Sequence, residues 1–178
     1  DRLVDDRARA HIELLVRRLA AAPPEDERAF ERELWSHRRE HGAACADGFR
    51  KAQIMHVYNL LVQSGEIAAS PPLRRLLVKK STKSQSGVLV ITVLTSPYPS
   101  VGGATQRFSC AWNCYYCPSE PDQPKSYLHD EPAVKRANEN GFDAVLQFTD
   151  RAATLASNGH PIDQVELLVL GGTWASYP

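Results

Sequence analysis

Along the N-terminal third of the chain, apolar side chains recur every three or four positions with charges between them, the spacing that lays a single stripe along an α-helix. Leu3, Val4, Ile12, Leu15, Val16 and Leu19 form the first stripe, which Pro23 and Pro24 end. A second helix is expected from Glu25. Glu25, Asp26 and Glu27 suit its positive N-terminal end, and His37, Arg38, Arg39 and His41 suit its C-terminal end before Gly42. A third, capped by Asp47, carries Phe49, Ala52, Met55, Val57, Tyr58 and Leu61 and closes at Gly65. Three consecutive amphipathic helices predict a small helical bundle.

The pattern then changes. VLVITVL, residues 88–94, is a β-branched apolar run typical of a strand buried on both faces, and VELLVLGG, residues 165–172, is a second. Between them lies a long loop followed by a helix expected over residues 132–158 with a break near Gly141. Strand, helix, strand makes one βαβ unit, so the two strands are expected to run parallel.

Composition adds less. Lys plus Arg and Asp plus Glu are both 21 in 178 residues, so no net charge draws the chain to nucleic acid or membrane, and any such binding must rest on a local patch. One exists: SPPLRRLLVKKSTKSQSG holds Arg74, Arg75, Lys79, Lys80 and Lys83 and no acid, and reads either as a solvated linker or as a binding surface. No apolar run approaches the roughly 20 residues of a membrane span, and the N-terminal stretch lacks a secretory core; a soluble, cytoplasmic protein is expected.

Chemistry concentrates in CAWNCYYCP, residues 110–118, where Cys110, Cys114 and Cys117 follow a CxxxCxxC spacing. Such a loop brings three sulfurs round one compact inorganic centre. A zinc cage needs a fourth ligand, which His129 or Cys45 would have to supply; otherwise Cys45 is a small buried thiol. A [4Fe–4S] cube held by three cysteines leaves one iron open, the place S-adenosylmethionine takes in radical enzymes. Two features lean the same way. Tyr116 stands where an aromatic can pack on an adenine, and Gly171, Gly172 and Thr173 follow the second strand, where backbone without side chains admits a ligand closely.

LRRLLVKKSTKSQSGVLVITVLTSPYP, CAWNCYYCPSEPDQPKSYLHDEPAVKRANENGFD and GHPIDQVELLVLGGTWASYP together resemble the catalytic subunit of Elongator and its single-chain prokaryotic and viral relatives. The resemblance covers residues 73–178, and PKSYL with EP and NGFD is more specific than the cysteines. It implies a tRNA acetyltransferase acting at carbon 5 of the wobble uridine, position 34, with a radical S-adenosylmethionine domain joined to an acetyltransferase domain. The implied fold is α/β: a helical tRNA-binding region over 1–72, a basic linker over 73–87, and over 88–178 the start of a partial (β/α) barrel with parallel strands.

Carried over residue by residue, the resemblance makes Cys110, Cys114 and Cys117 the ligands of a [4Fe–4S] cluster. Tyr116, Gly171, Gly172 and Thr173 become the S-adenosylmethionine site, and Arg74, Arg75, Lys79, Lys80 and Lys83 tRNA contacts, with Arg38, Arg39, Arg50 and Lys51 as further cations. Acetyl-coenzyme A is implied for the full-length protein only. tRNA is the implied partner, with a second copy or Elongator-like subunits besides. Two departures stand out: SVGGATQRFS, residues 100–109, is longer than in the shortest relatives, and Pro178 follows only the second strand. The expectation is an N-terminal portion, whose readings without catalysis are a tRNA-binding module or a zinc-stabilised structural domain.

Overall fold

The structure, a computed structural model, describes residues 4, 6–42, 49–112 and 114–178. Leu3, Cys45 and Asp47 lie outside the described residues. The chain forms two compact units, residues 1–87 with 154–162, and residues 88–153 with 163–178.

In the first unit the apolar stripes become helices: α1 (Asp6–Ala21), α2 (Glu27–His41), α3 (Lys51–Gln63) and α4 (Pro71–Leu77). Ile12, Leu15, Val16 and Leu19 of α1 meet Phe30 and Leu34 of α2, Ile54, Met55, Tyr58 and Leu61 of α3, and Leu73 and Leu77 of α4 in one core. One boundary differs from expectation. α2 starts at Glu27 because the Asp26 carboxylate accepts the Ala29 N–H at 2.7 Å, which makes Asp26 the cap and leaves Glu25 outside the helix. For α3 the cap position is Arg50, whose N–H donates to Gln53 Oε1 at 2.9 Å.

α4 occupies the start of the stretch with a linker's composition. Its Ser70 cap is held by Tyr58, whose hydroxyl accepts the Ser70 N–H at 2.7 Å, and Leu73 and Leu77 turn into the core. Alternating burial within a charged run is what a helix edge produces, and composition averages it away. Residues 158–160 return to this unit: Lys79 N–H donates to Asn158 O at 3.1 Å, and His160 Nδ1 lies 3.0 Å from Ser84 Oγ.

In the second unit β1 (Leu89–Leu94) and β4 (Val165–Leu170) pair in parallel, in register from Leu89 with Val165 to Leu94 with Leu170. The connecting helix is broken as expected, into α5 (Pro132–Glu139) and α6 (Ala144–Ser157). Gly141 and Phe142 carry the left-handed backbone at the break, with φ of 56° and 58°. Residues 100–109 hold a hairpin, β2 (Ser100–Val101) and β3 (Ala104–Thr105), whose turn is Gly102–Gly103, both at positive φ.

Neither strand is buried on both faces: β1 exposes Val90 on the side opposite Leu89, Ile91 and Val93. Leu89, Ile91, Val93 and Leu94 of β1 are buried, whereas Leu167, Leu168 and Val169 of β4 are 53%, 41% and 43% exposed. An apolar run states what a strand can bury, but the covering must come from elsewhere, and among the described residues it reaches Leu170, which packs against Leu94, Val134 and Ala137, but leaves Leu167, Leu168 and Val169 of β4 open. Its open side borders an apolar cavity of about 590 Å³ lined by Val93, Phe142, Phe148, Leu167, Val169 and Tyr177 among others. At the end of β1, Gln147 of α6 stands in for a neighbouring strand: its Oε1 accepts the Leu94 N–H at 2.9 Å and its Nε2 donates to Leu94 O at 3.0 Å. No helix among the described residues is long and apolar enough to cross a membrane.

Candidate functional site at the strand ends

Parallel strands release their chains at the same edge, so the loops after β1 and β4 meet there. Thr95, the residue after β1, donates its N–H to Leu170 O at 2.9 Å, and its hydroxyl lies 2.5 Å from the Tyr177 hydroxyl. Tyr177 Oη also accepts the Gly172 N–H at 3.2 Å, and its ring stacks on Phe108 with centroids 4.2 Å apart. Thr95, Phe108 and Tyr177 thus clamp the Gly171–Gly172 turn.

That clamp explains the two glycines. A Cβ on Gly171 would run into the Thr95 and Tyr177 hydroxyls, and one on Gly172 into the edge of the Phe108 ring. Close backbone approach is therefore required here by the chain's own packing.

The cysteine loop arrives at the same place. Cys110 Sγ lies 3.2 Å from Thr173 Oγ1, two residues 63 positions apart. Cys114 and Cys117 sit on one turn, closed by Cys117 N–H donating to Cys114 O at 3.1 Å, and Cys117 Sγ lies 2.9 Å from Ser126 Oγ. All three thiols are free, Cys114 exposed and the other two half-buried. Hydrogen bonds from the Thr173 hydroxyl, then the Trp112 backbone N–H, hold the Cys110 thiol below its ordinary range, while partial burial opposes them. A thiol biased towards thiolate is the form that ligates a metal or cluster. Among the described residues His129 does not close with the three sulfurs into one group of ligand atoms within 4.8 Å, and neither do the three sulfurs by themselves.

The predicted residues are not all brought together. Cys110 and Thr173 touch, and Gly171 and Gly172 lie beside them. Tyr116 is 88% exposed, as open as its neighbours Trp112 at 68% and Tyr115 at 105%. His129 is exposed, its N–H donating to Glu120 Oε2 at 2.7 Å. Sequence reasoning missed Thr95, Phe108, Ser126 and Tyr177. Only Thr95 had a signal, a hydroxyl residue at the C-terminal end of a predicted parallel strand.

In the first unit Arg74, Arg75, Lys79, Lys80 and Lys83 are all exposed. Arg74 and Arg75 line a shallow cavity with Pro71, Val78, Ser81, Ser84, Gly159 and Pro161. Among the described residues no carboxylate pairs with Arg74, Arg75, Lys79 or Lys80. Lys51 is engaged, by Glu27 at 2.5 Å and Leu76 O at 2.7 Å, and Arg38 lies over the Trp35 ring.

No family model matches the chain. It is 36% identical over 99 residues to the tRNA uridine(34) acetyltransferase of Dehalococcoides mccartyi, covering 56% of this chain and 19% of that protein. Against the protein of the same name from Methanocaldococcus infernus it is 36% identical over 104 residues, 56% of this chain and 18% of the relative. Against Elongator complex protein 3 of Danio rerio it is 36% identical over 123 residues, 63% of this chain and 22% of the relative. The chain thus spans about a fifth of the length of these curated relatives. Over about 60% of its length the chain is a homologue of the proteins named tRNA uridine(34) acetyltransferase and Elongator complex protein 3.

Proposed function

We propose that the chain contributes the cluster loop and the cofactor turn of a radical S-adenosylmethionine enzyme that modifies carbon 5 of the tRNA wobble uridine. The observation that carries this reading is the contact between Cys110 and Thr173 at the shared edge of β1 and β4. Cys110, Cys114 and Cys117 would hold a [4Fe–4S] cluster, and Gly171, Gly172 and Thr173 would border S-adenosylmethionine. When bound, the cluster supplies the single electron that cleaves the cofactor's sulfonium to a carbon radical.

The chain's own residues prepare that site. Thr173, Trp112 and Ser176 stabilise the Cys110 thiolate, and Ser126 orients Cys117. The clamp of Thr95, Phe108 and Tyr177 holds the glycine turn against the strand ends, so the two loops keep one geometry. The exposed apolar side chains on both faces of β4 suit the barrel reading, in which further strands and their crossover helices would enclose Leu167, Leu168 and Val169. In the whole protein the acetyl donor would be acetyl-coenzyme A, held by residues other than those of the strand-end site.

tRNA binding is assigned to the first unit. Arg74, Arg75, Lys79 and Lys80 are exposed and without ion-pair partners among the described residues, which suits release of counterions from a phosphate backbone. Lys83 is exposed beside them.

Anaerobic reconstitution with iron and sulfide tests the cluster. The full chain is expected to turn brown and, once reduced, to give a paramagnetic signal that changes on adding S-adenosylmethionine. Replacing Cys110, Cys114 or Cys117 by Ala should abolish iron binding, and Cys45→Ala should leave it intact. Iron lost with Cys45→Ala would refute the three-ligand assignment, and one equivalent of zinc retained in place of iron and lost with Cys110→Ala would favour the structural-zinc alternative.

A further inference from the structure

Three histidines converge in the first unit, where the functional reading makes no use of them. His37 and His41 lie four residues apart on α2, hence on one face, and His11 of α1 faces them. One ring nitrogen from each comes within 4.8 Å of the others. The His37 and His41 ring centroids are 4.4 Å apart and those of His11 and His41 5.1 Å.

His37 is 1% exposed, and its Nε2 is buried with no hydrogen-bond partner. Its ring is also bonded to the backbone of His11, and Nε2 is the ring nitrogen left without a partner. A buried polar atom left unsatisfied is destabilising, so packing alone does not account for a histidine at this position. A ligating histidine normally has its other nitrogen held by a carbonyl or carboxylate, as here. Burial and the neighbouring His41 depress the His37 pKa, which favours the neutral imidazole that ligation needs.

We propose that His11, His37 and His41 bind one divalent transition-metal ion, of the class that includes zinc and cobalt, which ties α1 to the end of α2. Three imidazoles select such metals over magnesium or calcium, which take oxygen ligands. The site lies in the last turn of α2, the negative end of the helix dipole, which favours a cation. The Glu40 carboxylate adds negative charge near His37, although it is bonded to Arg18 and Ser36.

The test uses the full chain with Cys45, Cys110, Cys114 and Cys117 replaced by Ser, so that thiolates do not compete. Titration with Zn²⁺ against a chromophoric chelator should give one tight equivalent, and the melting temperature should rise with bound metal. His11→Gln and His41→Gln, both at half-buried positions, should each weaken binding at least about tenfold while the helical signal persists. No variant is needed for the second readout: Co²⁺ should broaden the imidazole NMR signals of His11, His37 and His41 and spare His56, His129 and His160. Absence of stoichiometric Zn²⁺ binding to the folded chain would overturn the proposal. So would unchanged affinity in His11→Gln and His41→Gln, or broadening centred on other histidines.

Discussion

At the scale of single residues, the candidate site turns on hydroxyl groups that accompany the cysteines. Thr173 is the first cause of the depressed Cys110 pKa, so Thr173→Val should raise it. The pH profile of alkylation at Cys110, followed by mass spectrometry of its peptide in the cluster-free chain, should then move to higher pH. An unmoved profile would mean that the other donors set the thiol's state. Gly172 is a poorer probe of the cofactor than its motif implies, because a side chain there meets the Phe108 ring before any ligand. His56 offers a separate residue-level test. Burial, then Arg9, holds its pKa below the ordinary histidine value of 6.5. Between that lowered value and 6.5 the unfolded chain binds more protons, so this contribution to stability is present above 6.5 and is lost as pH falls through the folded pKa. Metal-free His56→Gln should therefore lose less stability than the parent between neutral and mildly acidic pH, measured by urea unfolding.

At the scale of elements, helices were legible from apolar spacing because each stripe records which face of its own helix is buried. α1, α2, α3 and the Gly141 break all carry that signal locally. α4 carries it too, but in seven residues between prolines and lysines its two core leucines were outweighed by charge. β1 shows what an element needs from outside itself. Its Leu94 backbone is satisfied by the Gln147 amide, so Gln147→Leu should strand a buried N–H and a buried C=O. The expected cost is about 2–4 kcal/mol of stability by chemical denaturation. Gln147→Glu, which keeps an acceptor for the N–H, should cost less. Equal stability of parent and Gln147→Leu would show that water replaces the amide.

At the scale of the whole molecule, charge is balanced overall and uneven locally. Any hold on RNA must come from clustered cations, and those of residues 74–83 lie open on and just after α4. Replacing Arg74, Arg75, Lys79 and Lys80 together by Gln should weaken binding to every tRNA tested. The salt dependence should flatten by roughly one unit of slope for each phosphate that is no longer neutralised. Filter binding over a salt series measures both, and an unchanged slope would place RNA elsewhere. Discrimination among tRNAs should change little, since cations on phosphates position RNA without reading sequence.

By itself the sequence determined whatever is written in neighbouring residues. The helical stripes and their proline and glycine stops, the two strands and their parallel sense, and the clustering of three cysteines in eight positions all belong there. Only the tertiary structure decided which distant groups oppose one another. Thr173 reaches Cys110 across 63 positions, Gln147 reaches Leu94 across 53, and His11 faces His37 and His41 from another helix. It also left β4 exposed although its apolar run is that of a buried strand. The physical reason is common to all four: periodicity is imposed on a segment by its own hydrogen bonding and burial, whereas a meeting of distant segments depends on how the chain closes between them and on what else is present to cover a face.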